Sequence, residues 1–420
     1  MKHALFVAFH YPPEASSSGV LRTLKYTRYL VDYGWRVTVI APNEDAYEIT
    51  DSHLTAQIPT TSRVIRTRFL NTKRHLAIRG KYAAMTAVPD TWIGWLPWAV
   101  SAGKALFRSD PYDLIYSTSP HATAHLIAQR LARRTGKPWV TDFRDPWYED
   151  PPEPGSPTGY VYQWANRTLE HKVISACDRV VASTTQLRDM LQARYPEEST
   201  DKISAILNGY DEADFTALPT SEPPSSSRLL MLHAGSVNAD YRDPRPLFAA
   251  LRRVADRGIV DLQRIRVRFI GGGQFSESNE MRQCIQNFQL EGVVEFVARV
   301  PYDESLRELS GANVLLLLQA SPDTANLVPA KLYEYLRTFR PVLALVSPGA
   351  TAEVLATTGG GWSVAPEETQ TLEDTLCEIY GLWIQRKLSD VRAEASALRQ
   401  FDRRVLSGKL AAVFDELMGR

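Results

Sequence analysis

Short apolar runs alternate with amphipathic stretches along this chain at the spacing of parallel α/β units, and no other feature restricts its fold so far. Ala4 to Phe9 reads as a strand, Gly19 to Tyr33 as a helix stopped by Gly34, and W-R-V-T-V-I-A from Trp35 as the next strand. D-L-I-Y-S-T-S-P, P-W-V-T-D-F, C-D-R-V-V-A-S-T and K-I-S-A-I-L-N-G-Y continue the series, with helices ending at Gly136 and spanning Tyr162 to Ser175. The alternation breaks at T-A-L-P-T-S-E-P-P-S-S-S, residues 216–227, a Pro- and Ser-rich linker with little to bury. It restarts with R-L-L-M-L-H-A-G, R-V-R-F-I-G-G-G, V-V-E-F, N-V-L-L-L-L and R-P-V-L-A-L, and helices are predicted over Pro246 to Asp256, Asn279 to Phe288 and Asp303 to Ser310. The expectation is an α/β protein of two Rossmann-like parallel-sheet domains facing a cleft, residues 1–215 and 228–385. Residues 386–420 then form C-terminal helices, the last of them amphipathic and able to pack back on either half. In open parallel sheets ligands bind beyond the carboxyl ends of the strands, so the loops that follow strands are where function is sought.

An apolar content of 44% over 420 residues can bury a core in each half. Forty-eight basic and forty-eight acidic side chains cancel, which leaves no global field to attract nucleic acid or an anionic membrane. Anion binding must therefore be local. Cys177, Cys284 and Cys377 show no metal-ligand spacing and fit a reducing cytoplasm. The N-terminal apolar run is too short for a signal peptide, and no run approaches the roughly eighteen residues of a membrane span. A cytoplasmic protein, soluble or peripheral to the inner face of the membrane, is expected.

Four loops carry candidate chemistry. Y-P-P-E-A-S-S-S-G follows the first strand, and its small residues, Ser16 through Ser18 and Gly19, would let backbone N–H groups at a helix start approach an anion. L-H-A-G-S-V-N-A-D-Y-R-D-P-R-P-L places a turn at Gly235 and Ser236 ahead of Arg242 and Arg245, whose planar forks match phosphate oxygens. The glycines Gly271 to Gly273 form a turn of lesser weight. F-V-A-R-V-P-Y puts Arg299 and Tyr302 after another strand, where they could hold a nucleotide base. No G-x-G-x-x-G or G-x-x-x-x-G-K-[ST] is present, which disfavours a dinucleotide or P-loop site.

The fourth loop is N-L-V-P-A-K-L-Y-E-Y-L-R, from Asn326 to Arg337, between two apolar strands. Pro329 suits the start of a helix, and Lys331, Glu334 and Tyr335 then share one face. A surface Lys–Glu pair would be worth only tenths of a kcal/mol. A lysine in the first turn opposes the helix dipole, and a bound anion reverses that penalty. Lys331 is read as a phosphate ligand and Glu334 as an acceptor for a vicinal diol such as ribose.

With these motifs in this order, nearly the whole chain resembles the family 4 retaining glycosyltransferases of GT-B fold, of the bacterial cell-surface polysaccharide type. The resemblance rests on Y-P-P-E with the loop to Ser18-Gly19, R-Y-L-V-D-Y-G-W-R-V-T-V-I, L-A-R-R-T-G-K-P-W-V-T-D-F-R-D-P-W, N-G-Y-D-E-A-D-F, H-A-G-S-V-N-A-D-Y-R-D-P-R-P-L and P-A-K-L-Y-E-Y-L-R-T-F-R-P-V-L-A-L. It implies a nucleotide sugar in the second domain and a glycan, lipid-linked or small-molecule acceptor in the first. It also implies a diphosphate met by Arg242, Lys331, Ser18 and Gly19, a ribose met by Glu334, and donor contacts from Asn326, Leu327 and Val328. Two departures stand out. Where relatives carry a second glutamate eight residues before the ribose-binding one, this chain has Asn326, and where they often carry a histidine after W-V-T-D-F it has Arg144 and Asp145. Asp145 becomes the acceptor-side candidate, with His121 and His125 as second choices.

No Asp-x-Asp or other metal-ligand grouping accompanies these segments, so neither a metal nor another cofactor is expected. Lys73, Arg74, Arg79 and Lys81 followed by Trp92, Trp95 and Trp98 suggest either peripheral membrane contact or a buried aromatic helix pair. A nucleotide-sugar epimerase of the same fold and a catalytically degenerate binding protein are the rival readings. The epimerase would need a G-T-R-P-E-type start, which is absent.

Overall fold

The computed structural model describes residues 1–17, 19–148, 157–216, 227–320 and 324–419. Ser18 and nearly all of the 216–227 linker lie outside them. The chain forms two compact units, Met1–Asn208 with Arg403–Arg420, and Gly209–Asp402.

The first unit holds a seven-stranded sheet: β1 (Lys2–Ala8), β2 (Trp35–Pro42), β3 (Arg63–Thr67), β4 (Leu114–Thr118), β5 (Trp139–Phe143), β6 (Arg179–Ala182) and β7 (Ile203–Ala205), in the order β3-β2-β1-β4-β5-β6-β7. Each neighbouring pair is parallel. Period two sorts β1 between two cores. Leu5 and Val7 face one side, with Ile115, Trp95, Val100, Ile127 and Leu131. Ala4, Phe6 and Ala8 face the other, with Leu24, Tyr26 and Trp35. The helices α1 (Gly19–Tyr29), α2 (Leu96–Ser109), α3 (Thr123–Thr135) and α4 (Pro157–Ala176) connect the strands. The helical pattern read to Tyr33 ends as a tighter 3₁₀ turn over Leu30–Tyr33, and Gly34 stops it at φ 82°.

Trp92 and Trp95 belong to this core, and the indole of Trp95 donates to Thr67 Oγ1 at 2.7 Å. Of the two readings left open for these tryptophans, membrane contact or a buried aromatic cluster, the buried one holds for Trp92 and Trp95.

The second unit holds β8 (Leu229–Ala234), β9 (Ile265–Ile270), β10 (Val294–Val297), β11 (Val314–Gln319), β12 (Val342–Val346) and β13 (Gly361–Val364), in the order β10-β9-β8-β11-β12-β13. All pairs are again parallel. The continuous apolar run of β11 is what a strand covered on both faces requires, and each of its buried leucines is worth roughly 1.5–3 kcal/mol. Four helices matter below: α5 (Arg245–Asp256), α6 (Tyr302–Gly311), α7 (Ala330–Arg337) and α8 (Thr369–Ile384). The units change at Asn208–Gly209, ahead of the linker, because Glu212 pairs with Arg337 and the Tyr210 amide donates to Phe401.

The closing helix α9 (Arg403–Met418) packs on the first unit, where Leu406, Leu410 and Phe414 lie against the Phe6 side of the sheet. Its Asp415 accepts from the indole of Trp35 at 2.9 Å.

Candidate functional site

In each sheet the strand order reverses once, between β1 and β4 and between β8 and β11. Connections leave in opposite directions at such a point, so the carboxyl ends of the two strands open a crevice that their loops line.

In the second unit the crevice is formed by the turn after β8 and the start of α7. Pro329 caps α7 with extended backbone, and Lys331 follows in the first turn. Its Nζ donates to Ala234 O, the last carbonyl of β8, at 2.8 Å. Tyr335, one turn on, accepts from the Ala234 amide through Oη at 2.9 Å. Gly235 makes this approach feasible: its φ is 128°, and a Cβ there would stand 2.4 Å from Lys331 Nζ.

Lys331 makes no ion pair among the described residues. Burial pushes its pKa down to about 7, the Arg242 guanidinium adds to the shift, and Glu334 opposes it. The surface Lys–Glu pair is therefore not what the fold builds. Arg242 donates to Ser236 Oγ at 3.1 Å and lies over the Tyr241 ring at 5.0 Å. Two cations and a helix N-terminus thus converge where protein supplies little negative charge. Below them His233 is buried and neutral, with Nδ1 on Leu316 O at 2.9 Å.

Glu334 accepts from Tyr302 Oη at 2.9 Å. The hydroxyl of Tyr302, a residue read as a candidate for holding a base, thus fixes the orientation of the Glu334 carboxylate. Arg299 is exposed at the loop after β10, beside Gly271. Asn326 and Leu327 are half-buried in the loop before α7, while the Val328 side chain is buried and takes no part in a polar contact. That loop is tied by Ala350 N to Ala325 O at 2.8 Å and by Thr351 Oγ1 to Leu327 O at 2.9 Å. Arg245 is corrected from phosphate ligand to ion pair, since Asp243 holds its Nε at 2.8 Å and Glu280 takes Nη1.

In the first unit, Gly19 opens α1 beside β1 and Arg144 follows β5. A Cβ on Gly19 would be 1.8 Å from both Nη atoms of Arg144, so the guanidinium lies directly on the glycine. Arg144 donates to Ser119 O at 3.2 Å and to Ser17 Oγ at 3.5 Å. Glu14 is buried, and although burial alone would raise its pKa, bonds from His10 Nδ1 at 2.9 Å and Ser16 N at 2.7 Å hold it below the usual carboxylate value. The His10 ring stacks on His121 at 5.4 Å. Burial pushes His121 down to about 3, helped by His10 and Arg144, so its ring is neutral at physiological pH. Asp145 is half-buried, with no hydrogen bond or ion pair among the described residues. His125 is structural: it bonds Ser117 Oγ at 2.8 Å and stacks on Phe143 at 4.9 Å.

Residues 19–209 match the model of the glycosyl transferase 4-like domain. The first unit is thus similar in sequence to glycosyl transferase 4-like domains over nearly its whole length.

WcaL of Escherichia coli K12, named for a glycosyltransferase of colanic acid biosynthesis, is 23% identical over 223 residues, 52% of this chain and 52% of that protein. The chain thus matches about half the length of this curated relative. HepE of Anabaena, solved in complex with UDP, superimposes with a TM-score of 0.67 at 17% identity, covering 99% of this chain and 100% of the other. Sucrose-phosphate synthase of Thermosynechococcus elongatus gives 0.63 at 14%, with both chains covered in full. The two parallel-sheet units, of which the transferase-like domain is the first, are those of the GT-B fold.

Sequence reasoning did not pick out His10, Glu14 and Arg144 as one group in that domain. Glu14 and Arg144 lie in quoted motifs, Y-P-P-E and D-F-R-D, but only the adjacency of β1, β4 and β5 brings the three loops together. Among the described residues, no group of three or more His, Cys, Asp or Glu is arranged to hold a metal ion, and no helix is long and apolar enough to cross a membrane.

Proposed function

We propose that this protein is a retaining glycosyltransferase that moves a sugar from a nucleoside-diphosphate sugar to a hydroxyl of a glycan, lipid-linked or small-molecule acceptor without a metal. The observation that carries the reading is Lys331, held on Ala234 O beside Arg242 at the N-terminus of α7 and at the strand reversal of the second unit. A diphosphate placed there supplies the negative charge that this crevice lacks. Donors fixed before reaction begins cost no reorganisation as charge develops on the departing diphosphate, and such electrostatic stabilisation is commonly the largest catalytic contribution.

Glu334, oriented by Tyr302, accepts the ribose hydroxyls, and Asn326, Leu327, Gly235 and Ser236 line the path of the donor. Arg299 stands where a base would reach the loop after β10. The acceptor binds in the first unit near the Gly19 loop, with Asp145 and the neutral His121 as its polar contacts. Retention follows when an oxygen of the leaving phosphate takes the acceptor proton on the face from which the diphosphate departs. The donor class is supported by HepE of Anabaena, whose structures include complexes with UDP and with UDP-glucose.

A thermal-shift panel of nucleoside diphosphates and their sugars tests the reading. A donor present at one hundred times its dissociation constant stabilises the native state by about 2.7 kcal/mol. At least one member should raise the melting temperature of the wild type and fail to do so for Lys331→Ala. A flat panel would count against the proposal.

A further inference from the structure

The segment from Thr72 to Pro89 contains no aspartate or glutamate, yet it carries Lys73, Arg74, Arg79 and Lys81. It lies at the surface of the first unit and leaves large apolar side chains in water: Ile78 is 80% exposed and Met85 77%, with Leu76 and Tyr82 exposed beside them. Its tip is a tight hairpin. Ile78 and Lys81 exchange backbone bonds of 2.8 and 3.1 Å across Arg79 and Gly80, whose φ angles of 52° and 77° are the pair that a type I′ turn requires. The side chains of Lys73, Arg79 and Lys81 have no ion-pair, hydrogen-bond or ring partner among the described residues, whereas Arg74 is engaged by Glu48 and by Asp45 O. The first turns of α4 extend the surface. Tyr162 Oη donates to Pro89 O at 2.7 Å, and Tyr160, Val161 and Trp164 stand exposed around it.

We propose that this hairpin and the adjacent start of α4 dock the protein on a bilayer surface that contains anionic lipid. Unpaired cations around aliphatic tips match the charged headgroups and the headgroup–acyl boundary, in which such residues bury to a depth of about 5–10 Å. Nucleic acid would meet the cations but leaves Ile78 and Met85 in water. A second copy joined through the same patch would set like charges against each other. The contact keeps the cations of the Lys73 to Trp98 segment read as a candidate membrane contact, but its apolar part is Ile78 and Met85 in place of Trp92 and Trp95, which are in the core. It requires no assumption about sugar chemistry, so its failure and that of the transferase reading are separate results.

The test is sedimentation of the full chain with vesicles of phosphatidylcholine alone and of phosphatidylcholine mixed with phosphatidylglycerol. Binding to the mixed vesicles only, weakening as salt rises, is expected. One unit of basic charge near an anionic surface is worth roughly a fivefold change in partitioning, so Arg79→Glu with Lys81→Glu should lower it by more than about tenfold. Ile78→Asp with Met85→Asp should lower it as well, and both pairs should keep the wild-type melting temperature because the side chains replaced are exposed. Wild type that stays in the supernatant with mixed vesicles overturns the proposal, as does undiminished binding of both variant pairs. A dimer in light scattering that these substitutions split into monomers would overturn it too, by showing that a second copy covers the patch.

Discussion

A Cβ on Gly235 would stand 2.4 Å from Nζ of Lys331, so the turn after β8 and the first turn of α7 are built around the absence of a side chain. With φ at 128°, the position also resists any L-residue. Gly235→Ala must displace the ammonium group from Ala234 O. If the proposed reading holds, nucleoside diphosphate binding, followed by calorimetry, should weaken by about tenfold or more, comparable to Lys331→Ala, since each would lose a charge-assisted contact to the diphosphate.

The depressed pKa of Lys331 gives a pH signature. In the unfolded chain the group titrates near 10.5 and in the ligand-free fold near 7. Protonation is thus disfavoured by folding, and the resulting penalty is fully present below about pH 7 and fades as pH rises toward 10.5. Relative to Lys331→Met, the ligand-free protein should gain stability across that window. A bound diphosphate favours the ammonium form, so binding at pH 8 should take up protons and affinity should fall as pH rises above about 7. Calorimetry in buffers of different ionisation enthalpy reads the uptake, and Lys331→Met should abolish it.

Tyr302 and Glu334 divide one task. On the proposed reading Glu334→Gln removes the charge that accepts the ribose diol, and a hydrogen bond to a charged group is worth about 1.5–3 kcal/mol. Tyr302→Phe leaves the charge and removes only the 2.9 Å bond that aims it. Nucleotide binding should fall by at least about tenfold in the first and by less in the second. With a 2′-deoxyribonucleotide the cost of Glu334→Gln should shrink.

In the first unit, Asp142 at the end of β5 takes the Arg22 guanidinium at 2.7 and 3.1 Å, both groups being fully enclosed. Arg22 also donates to Ile206 O at 2.8 Å and Leu207 O at 2.9 Å, which joins α1 to the chain end of this unit. Removing one partner of a buried pair strands the other charge, at a cost of about 3–5 kcal/mol. Asp142→Ala should show that loss in denaturant unfolding.

Two parallel sheets and most of their strands were legible because strands covered on both faces read as apolar runs. β3 and β13 were not, since R-V-I-R-T carries two arginines on a sheet edge and G-W-S-V is short and half-exposed. The Lys331–Glu334 spacing was legible because helical geometry alone places the two on one face. Their actual partners, Ala234 and Tyr302, were hidden by long sequence separation. Trp95 was left undecided for a related reason: an aromatic cluster beside cations looks the same whether it faces lipid or, as here, fills a core.

In the proposed reaction Lys331 and Arg242 stabilise a departing nucleoside diphosphate. Release of nucleoside diphosphate from a radiolabelled panel of nucleotide sugars, with and without glycan acceptors, measures this directly. The wild type should turn over at least one donor with the label retained in an α- or β-anomer of the donor's own configuration, and Lys331→Ala and Arg242→Ala should each be slower by roughly 10²-fold or more. Turnover of the same donor by both variants at the wild-type rate would contradict it.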